Sequence, residues 1–477
     1  MSIPSFLHKA GKNKLDDSVT ADLHLESLLP NKILPIVMSP CDKQTVILRQ
    51  EFFQNMENTA FLEHIHKLLG VLRTINAEKY HYSQAELHAE RILLYLRVLH
   101  LYLEAVQLLR CFPCENKITD AVCAYWNDCE HSALYNKLQE VVSTADLLAE
   151  KICVFDLSLM DRTWIQPDNG SKSYCEIFES YAWNLGISLS KADMQTFRLS
   201  LSLSNALCEM YVQEFASLDA LLAPFEIEKL TEPLVYIDEL EFYVYMHGYI
   251  RRQEQEGINT CFPKITDRRQ YYAENAYDPY LLQKQIHVVP NDIAFDEERP
   301  FFFLIGANSG GKTTYLRCVA LNLVFALCGC KVFAANALVF CFERIYTHFP
   351  RDERFEQMGR LEDEKKRFDN IIGENVRNSF VFLNEAYSGA NDDVGEALAI
   401  NTAQTIREKQ MFGFFVTHFQ NVCEQNVPAL HVTVDDQNNR LYKVQPIRNA
   451  VSSYVEDILK KYGLDRDSLH IRLREYE

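Results

Sequence analysis

The strongest constraint on this 477-residue chain is a glycine-rich segment that directly follows an apolar run. Residues 301–305 read Phe-Phe-Phe-Leu-Ile, and residues 306–314 read Gly-Ala-Asn-Ser-Gly-Gly-Lys-Thr-Thr. The apolar run predicts a buried strand, and the residues after 314 predict a helix. A strand that leads through glycines into a helix presents backbone N–H groups and the positive end of the helix dipole to an anion. The sequence therefore predicts a loop that binds nucleotide phosphates.

Each residue type in this loop suits a separate part of a bound nucleotide. Gly306, Gly310 and Gly311 allow the backbone to wrap around the β-phosphate. Lys312 is placed to reach the β- and γ-phosphate oxygens, and the Thr313 hydroxyl can ligate Mg²⁺. The predicted nucleotide-binding residues are Gly306, Ala307, Asn308, Ser309, Gly310, Gly311, Lys312, Thr313 and Thr314. A glycine turn without a ligand is the alternative, but the order of strand, loop and helix favours ATP or GTP binding.

The charge of the chain limits its partners. The 48 Lys and Arg residues and 66 Asp and Glu residues give a formal net charge of −18. Because phosphate binding needs an excess of Lys and Arg, this charge argues against a protein that coats nucleic acid over its whole surface. A local basic patch stays open, although solvated charges at helix ends would explain the same residues. The residues that could form it are Arg251, Arg252, Arg268 and Arg269.

The apolar segments suit a folded core better than a membrane. The most apolar stretch, residues 92–109, carries Arg97, His100 and Glu104, which is typical of a core helix. The N-terminus lacks the apolar region of a signal peptide. We therefore expect a cytoplasmic location and no membrane partner. The 14 cysteines are then expected to be free thiols in the core.

One group of cysteines leaves alternatives open. Cys111 and Cys114, with Cys123, Cys129 and His131 following, offer enough soft ligands for a tetrahedral zinc site. A redox pair is a second possibility. The irregular spacing and the intervening proline favour a simple turn between two helices.

Two patterns divide the chain. Residues 45–260 show long helical periodicity, including helices within 92–109 and 194–222, with a strand and a turn that predict a small β insertion near residues 150–175. After residue 285, short apolar strands alternate with helices, which predicts a largely parallel sheet covered by helices. We therefore expect a helical region over residues 1–265 and an α/β domain over residues 266–477.

Two further strand ends in the α/β region carry suitable polar residues. The apolar run 379–383 ends in Asn384 and Glu385, where a P-loop ATPase needs an oxygen near Mg²⁺ and a carboxylate that orients water. Glu385 is the predicted general base, and Asn384 is predicted to hold Mg²⁺ through a water. A further run, residues 412–417, ends in His418, which is predicted to sense the γ-phosphate. A strand-end histidine with no ligand is the alternative for His418.

Taken together, these motifs resemble the MutS family of DNA mismatch-repair ATPases. The matching segments are residues 289–293, 306–317, 344–347, 383–385 and 417–419, and residues 48–53 resemble the start of the helical core of that family. The resemblance implies a helical core and lever region with a β tip, followed by an ABC-type P-loop ATPase domain. It also implies a homodimer in which each ATP lies between the phosphate loop of one subunit and the signature segment of the other.

The chain departs from the family pattern at two nucleotide-binding positions. Asn384 stands where the family has an aspartate, which keeps an oxygen but loses a negative charge. Gly359 stands where the resemblance implies a serine that contacts the γ-phosphate of the partner subunit. We therefore expect weaker Mg²⁺ binding and slow hydrolysis.

Mispair recognition is not expected from the residues at hand. Mismatch-sensing members of the family insert the Phe of a Phe-x-Glu motif from an N-terminal domain, but only about twenty residues precede the core-like segment here. Phe61 with Glu63 and Phe295 with Glu297 match the motif, and we interpret both matches as chance. At the other end, apolar residues in 451–462 form a narrow helical stripe that Gly463 closes, which predicts a core or dimerisation helix.

The sequence thus predicts a MutS-like ATPase that binds and hydrolyses ATP with Mg²⁺ as a homodimer. The first hypothesis for its function is an ATP-gated clamp on branched or non-specific duplex DNA in repair or recombination, without mispair recognition. The second is a nucleotide-switched dimer that binds another protein and does not bind DNA. Lys and Arg clustered on the β tip and lever would favour the first hypothesis, and an acidic channel would favour the second.

Overall fold

The computed structural model divides the chain into two compact units. Unit 1 comprises Met1–Phe6 and Asn55–Glu241, and unit 2 comprises Leu7–Gln54 and Phe242–Glu477. The residues that the structure describes are 3–9, 11, 13–152, 208–306, 310–349, 360–373, 376–388, 391–419, 422, 427–435 and 440–447. The predicted domain boundary at residues 265 and 266 stays a prediction, and the packing groups residues 7–54 with the C-terminal sheets.

Unit 1 is helical in its described residues. Its helices are α5 Thr59–Gln84, α6 His88–Leu109, α7 Lys117–Glu130, α8 Ala133–Ile152, α9 Val212–Leu222, α10 Ile227–Leu230, a 3₁₀ turn Glu232–Val235 and the start of α11 Tyr236–Gln255. Side-chain caps fix two of the helix starts. Asn58 accepts hydrogen bonds from the N–H groups of Ala60 and Phe61, and Asn116 forms a capping box with Thr119. The two long helices α5 and α6 pack as a hairpin.

Helix α6 covers the apolar stretch that was expected in a core. By length and composition it could also span a bilayer, with a mean hydropathy of 1.5, but 44% of its most apolar window is buried inside the structure. Its Arg97 Nε lies 3.2 Å from a Glu78 carboxylate oxygen on α5, and His100 Nε2 lies 2.7 Å from an Asp146 oxygen on α8. The charged residues of α6 therefore bind neighbouring helices of unit 1.

The cysteine group lies in and after the connection between α6 and α7. Cys111, Cys114, Cys123 and Cys129 are all free, and no three His, Cys, Asp or Glu side chains are grouped as a metal site in the described part of the chain. Burial raises the pKa of Cys123 to about 11 and also raises the pKa of Cys129. Residues 110–116 connect α6 to α7, which agrees with the predicted turn between two helices.

Unit 2 begins with short helices that pack on its sheet region. These are α1 Asp17–Asp22, α2 Leu25–Leu28, α3 Leu34–Val37 and α4 Lys43–Asn55, which ends at the unit boundary. The buried Arg49 of α4 donates hydrogen bonds to the carbonyls of Leu7 and Lys9. A Cβ added to Gly329 would lie 2.5 Å from the Arg49 Cβ, and its φ of 83° also favours glycine. The close approach of Gly329, together with a 3.0 Å hydrogen bond from Cys41 N to the Leu327 carbonyl, joins residues 7–54 to the rest of unit 2.

The described residues of unit 2 form two sheets. Its strands are β1 Lys264–Thr266, β2 Tyr271–Ala276, β3 Asn291–Phe295, β4 Phe301–Ile305, β5 Asn336–Phe340, β6 Arg344–His348, β7 Ser379–Asn384, β8 Phe412–Val416, β9 Ala429–Val434 and β10 Arg440–Pro446. Its remaining helices are α12 Pro279–Gln283, α13 Lys312–Leu327, α14 Arg360–Ile371 and α15 Asp392–Glu408. The four-stranded sheet has the order β1-β5-β2-β3, and the six-stranded sheet has the order β10-β9-β4-β8-β7-β6.

The larger sheet is parallel except for β10, which confirms the predicted, largely parallel sheet. Every residue of β4, β7 and β8 is buried, as is typical of central parallel strands covered on both faces. Their phenylalanines pack together, with the Phe380 and Phe382 rings stacked 4.7 Å apart. Gly413 of β8 has a φ of 146°, and a Cβ there would collide with the Val381 carbonyl oxygen of β7.

The two Phe-x-Glu matches belong to the core. Phe61 lies on α5 and is fully buried, and Phe295 lies on β3 with an exposed fraction of 3%. The Phe295 ring packs edge-on against Phe302 and Phe380. Both phenylalanines are thus structural, as expected. The predicted β tip after residue 152, the predicted helix before residue 208, Gly359 and the predicted C-terminal helix over 451–463 lie outside the described residues.

Candidate active site

The glycine-rich segment leads from β4 into α13, as predicted. Gly306 has a φ of 140°, and Gly311, which caps α13, has a φ of 98°; a side chain at either position would be strained. Lys312 opens the helix with only 4% of its side chain exposed, and its ammonium donates a 2.8 Å hydrogen bond to the Gly306 carbonyl. Thr313 and Thr314 follow in the first turn. Ala307, Asn308 and Ser309 lie outside the described residues.

Parallel pairing brings the three predicted strand ends to one edge of the sheet. In the register of β4, β8 and β7, Leu304 and Asn384 both pair with Val416. Beyond the strands, Thr417 N donates to the Leu304 carbonyl at 3.0 Å, and Glu385 N donates to the Val416 carbonyl at 2.8 Å. The phosphate loop, the turn after β7 and the segment after β8 therefore lie side by side.

Thr313 and Asn384 contact each other directly at this edge. The Thr313 hydroxyl donates to the Asn384 amide oxygen at 3.3 Å, and Asn384 is 7% exposed. A hydroxyl and an amide oxygen are hard oxygen donors, which is the ligand type that Mg²⁺ prefers, directly or through water. The two residues therefore fit the predicted metal position chemically.

Lys312 connects the phosphate loop to the turn after β7. Its ammonium lies 3.9 Å from a carboxylate oxygen of Glu385, whose side chain is 36% exposed. Burial lowers the pKa of Lys312, and the Glu385 charge opposes that shift. The pair thus joins the two residues predicted to hold phosphate and to orient water.

His418 lies at the same edge with an exposed side chain. It follows β8, and its ring centroid lies 4.4 Å from that of the buried Phe419, whose N–H donates to the Thr417 hydroxyl at 3.1 Å. This placement is compatible with the predicted contact to a γ-phosphate.

An aromatic residue that the sequence did not indicate lies beside the phosphate loop. A Cβ added to Gly311 would lie 3.1 Å from Cδ1 of Tyr442, a β10 residue that is 46% exposed. Asn291 fixes this strand, because its amide donates to the Tyr442 carbonyl at 3.0 Å and its oxygen accepts from Val444 N at 2.8 Å. The contact joins positions 151 residues apart, so the sequence could not indicate it directly. The one available signal was that Asn291 lies within segment 289–293, which resembles the family.

A buried ion pair lies on the same helix as the phosphate loop. Arg317 of α13 lies 3.9 Å from Asp278, which is fully buried, and its guanidinium lies over the Tyr280 ring at 4.9 Å. Burial raises the pKa of Asp278 to about 6, although Arg317 and backbone hydrogen bonds oppose that shift. Asp278 also accepts a hydrogen bond from Tyr280 N and so caps α12.

Two members of the possible basic patch are used within the fold. Arg251 pairs with Glu254 at 3.3 Å, and the Arg269 guanidinium lies 4.9 Å from the Phe412 ring centroid while donating to the carbonyls of Arg377 and Gln410. These contacts favour the structural interpretation of both arginines.

Comparison with known proteins gives matches to one family. Residues 302–465, about a third of the chain, match the family model described as MutS domain V. The chain is 31% identical over 171 residues to the DNA mismatch repair protein Msh3 of Homo sapiens, which covers 34% of this chain and 15% of that protein. It is 27% identical over 255 residues to the DNA mismatch repair protein MutS of Thermus aquaticus, which covers 51% of this chain and 29% of that protein.

A plant relative gives a similar result, with 28% identity over 185 residues to the DNA mismatch repair protein MSH4 of Arabidopsis thaliana, or 38% of this chain and 23% of that protein. The aligned part therefore spans less than a third of each of these relatives. The α/β region of this chain is therefore similar to domain V of the MutS family and to the matching parts of these DNA mismatch repair proteins.

Proposed function

We propose that this protein is an ATPase whose site lies at the carboxyl ends of β4, β8 and β7. Lys312 and the loop amides hold the phosphates, Thr313 and Asn384 hold Mg²⁺, Glu385 orients the attacking water and His418 senses the γ-phosphate. The observation that carries the proposal is the contact of Lys312 with Glu385 beside the contact of Thr313 with Asn384. Members of the MutS family are ATPases, which supports the same conclusion.

The metal would supply charge neutralisation between the β- and γ-phosphates. Asn384 would serve it as a neutral ligand, so we propose that Mg²⁺ is held less tightly than a carboxylate would hold it. Tyr442 would contact the adenine base of ATP, since an exposed aromatic ring beside the phosphate loop can stack on a nucleobase.

Equilibrium ATP binding tests the site. Replacement of Lys312 by alanine (Lys312→Ala) removes a buried ammonium, so ATP affinity should fall at least about 100-fold, the equivalent of two charge-assisted hydrogen bonds. Replacement of Lys67 by alanine is the matched control, because Lys67 is an exposed lysine of unit 1 paired with Glu104. Equal ATP affinity in the Lys312→Ala variant and the wild type would show that Lys312 does not bind phosphate.

We further propose that the protein works as a homodimer with one ATP held between each phosphate loop and the partner's signature segment. This follows from the family resemblance. ATP should then drive or tighten dimerisation in sedimentation experiments, and a monomer at all nucleotide and micromolar protein concentrations would contradict it.

The relatives named above are DNA mismatch repair proteins, which supports a role of this ATPase on DNA in repair or recombination. The form we propose is an ATP-gated clamp that binds branched or non-specific duplex DNA through phosphate contacts. With both Phe-x-Glu phenylalanines buried, we expect less than about a threefold preference, or about 0.7 kcal/mol, for a G·T mismatch over matched duplex.

A second candidate function is favoured by the charge of unit 1. Residues 55–152 and 208–241 contain 10 Lys and Arg against 22 Asp and Glu, a net charge of −12. Residues 153–207 contain 4 basic and 6 acidic residues, so the predicted tip adds no basic excess. Such a surface repels phosphates, which favours a nucleotide-switched dimer that binds a protein partner.

Binding to matched, G·T-mismatched and four-way DNA, with and without ATP and over a range of salt concentrations, separates the two candidates. The clamp predicts affinity that falls steeply as salt rises and that is higher for four-way DNA. Absence of binding to every DNA at low salt would reject the clamp and leave the protein-binding switch.

A further inference from the structure

The turn that carries Glu385 has an uncommon backbone conformation. Glu385 has a φ of 49° and Tyr387 a φ of 65°, both in the left-handed region that residues other than glycine rarely adopt. Ser388 N donates to the Glu385 carbonyl at 3.3 Å and closes the turn. Such a conformation persists only where surrounding contacts hold it. Those contacts therefore determine where the Glu385 carboxylate points.

Three contacts hold this turn. Glu385 N extends the strand ladder by its hydrogen bond to Val416, and the buried Tyr387 hydroxyl lies 3.0 Å from the Thr402 hydroxyl on α15. The third contact is a 2.7 Å hydrogen bond from Tyr387 N to a carboxylate oxygen of Glu364 on α14. The acceptor of this bond is a carboxylate, and hydrogen bonds to carboxylates are stronger than those between neutral groups such as the other two contacts. The donor, Tyr387 N, lies two residues from Glu385.

Glu364 is itself fixed in place. Its side chain is 4% exposed, and its backbone carbonyl lies 3.2 Å from the buried His348 Nε2 at the end of β6. On the same helix, Arg367 donates to the Phe349 carbonyl at 3.4 Å. Helix α14 is therefore attached to the end of β6, and Glu364 reaches from it to the turn after β7.

We propose that Glu364 is a positioning residue for Glu385, an inference that rests on the proposed ATPase function. Glu364 does not touch the reacting atoms. It holds the Tyr387 N–H, which fixes the left-handed turn and so aims the Glu385 carboxylate at the attacking water. Because the bond comes from α14, displacement of this helix moves the turn, so α14 controls hydrolysis without contributing a catalytic group.

Three substitutions of Glu364 separate hydrogen-bond acceptance from charge. Glu364→Gln keeps an oxygen at the same distance, so its kcat should stay within about threefold of wild type. Glu364→Asp keeps the charge but withdraws the oxygen by one methylene, and Glu364→Ala removes the acceptor. Both should lower kcat about 10- to 100-fold, because the water-orienting group is misplaced, while KM and ATP affinity stay within about twofold.

A matched control measures the effect of losing a buried acceptor elsewhere. Asn322 of α13 is fully buried, and its oxygen accepts a 2.7 Å hydrogen bond from Phe333 N. Asn322→Ala therefore also leaves a buried N–H without its acceptor, and it should lower thermal stability while leaving kcat within about threefold. A loss of kcat equal to that of Glu364→Ala would show that destabilisation alone explains both variants.

Amide hydrogen exchange provides a readout that does not need turnover. The peptide containing residues 384–388 should exchange at least about tenfold faster in Glu364→Asp and Glu364→Ala than in wild type, and at the wild-type rate in Glu364→Gln. Even if Glu364→Ala does not fold, the Asp and Gln variants still decide the question. Wild-type exchange and wild-type kcat in Glu364→Asp would overturn the inference.

The outcomes also separate this inference from the proposed function. In one outcome, the wild type and every Glu364 variant hydrolyse ATP at the same rate, whereas the Glu385→Gln variant does not hydrolyse it. Only the proposed role of Glu364 then fails. If Glu385→Gln hydrolyses ATP at the wild-type rate, the proposed role of Glu385 fails. The role of Glu364 in aiming it then fails too.

Discussion

The two units of the molecule treat buried charge differently. In unit 1, the buried Glu78 has Arg97 at 3.2 Å and His81 at 3.7 Å. In unit 2, the buried Asp278 has Arg317 only at 3.9 Å, and its second carboxylate oxygen has no hydrogen bond. Near the phosphate loop, Lys312 likewise contacts Glu385 only at 3.9 Å. The carboxylates nearest to Lys312 and Arg317 on α13 of unit 2 therefore lie farther from their cations than Glu78 lies from Arg97 in unit 1.

This difference indicates what each unit is built to do. Five of the ten Lys and Arg residues in the described part of unit 1 form ion pairs: Lys67, Arg73, Arg97, Arg110 and Lys229. Cations that already have carboxylate partners are less available to phosphates. In unit 2, Lys312 and Glu385 converge with Thr313 and Asn384 at one sheet edge, which is the proposed nucleotide site. We therefore expect the ligand-binding chemistry in unit 2.

The largest expected effect concerns the pH dependence of stability through Asp278. Its pKa is about 6 when folded and near 3.8 when exposed, so the folded state holds the proton more tightly between those values. The contribution of Asp278 to the free energy of unfolding therefore falls as pH rises from about 4 to 6 and is level above pH 6. A shift of about two pKa units corresponds to about 3 kcal/mol.

Replacement of Asp278 by asparagine isolates this contribution, because the amide oxygen can still cap α12. Relative to the wild type, the Asp278→Asn variant should gain up to about 3 kcal/mol of unfolding free energy between pH 4 and pH 7. Denaturant unfolding of both proteins at several pH values measures the difference. If the unfolding free energies of the two proteins differed by the same amount at every pH, burial would not raise the pKa of Asp278.

A somewhat smaller effect is expected from the paired charge of unit 1. Arg97→Ala leaves Glu78 buried beside His81 alone, so the free energy of unfolding should fall by about 2 kcal/mol, less than for a fully buried pair because Arg97 is 38% exposed. ATP affinity should stay unchanged. A measured loss of ATP affinity in a folded Arg97→Ala protein would break the proposed division of roles between the units.

The structure also shows which parts of the site could be predicted from sequence. Strands β4, β7 and β8 each contain an apolar run, at residues 301–305, 380–383 and 412–416, and the polar residues of the candidate site follow these runs. Parallel pairing then brings those ends together without further information. Gly306, Lys312, Thr313, Asn384 and Glu385 were accessible for this reason.

Contacts between segments far apart in the chain could not be predicted from the sequence. The bond from Tyr387 N to Glu364 joins residues 23 apart, and the sequence does not show that the Glu364 carboxylate reaches the turn after β7. The position of Tyr442 beside Gly311 depends on the antiparallel pairing of β10 with β9. The contact of residues 7–54 with Gly329 involves the buried Arg49, a residue type that usually lies at the surface.

The smallest predicted effect concerns the metal ligand. Asn384→Asp restores a negative charge beside Thr313, so Mg²⁺ affinity in the presence of ATP should rise about tenfold, while ATP affinity without Mg²⁺ changes little. Titration of Mg²⁺ into protein with a fluorescent ATP analogue measures both quantities. An unchanged Mg²⁺ titration would place Asn384 away from the metal.

The most direct test of the proposed ATPase site is a comparison of ATP binding and ATP hydrolysis in the Glu385→Gln variant. Glutamine keeps the shape of the side chain but cannot accept a proton from water. ATP affinity should stay within about threefold of wild type, while hydrolysis in a single turnover falls at least about 100-fold and ATP-bound protein accumulates. Hydrolysis at the wild-type rate in this variant would contradict the assignment of Glu385 and, with it, the site at the end of β7.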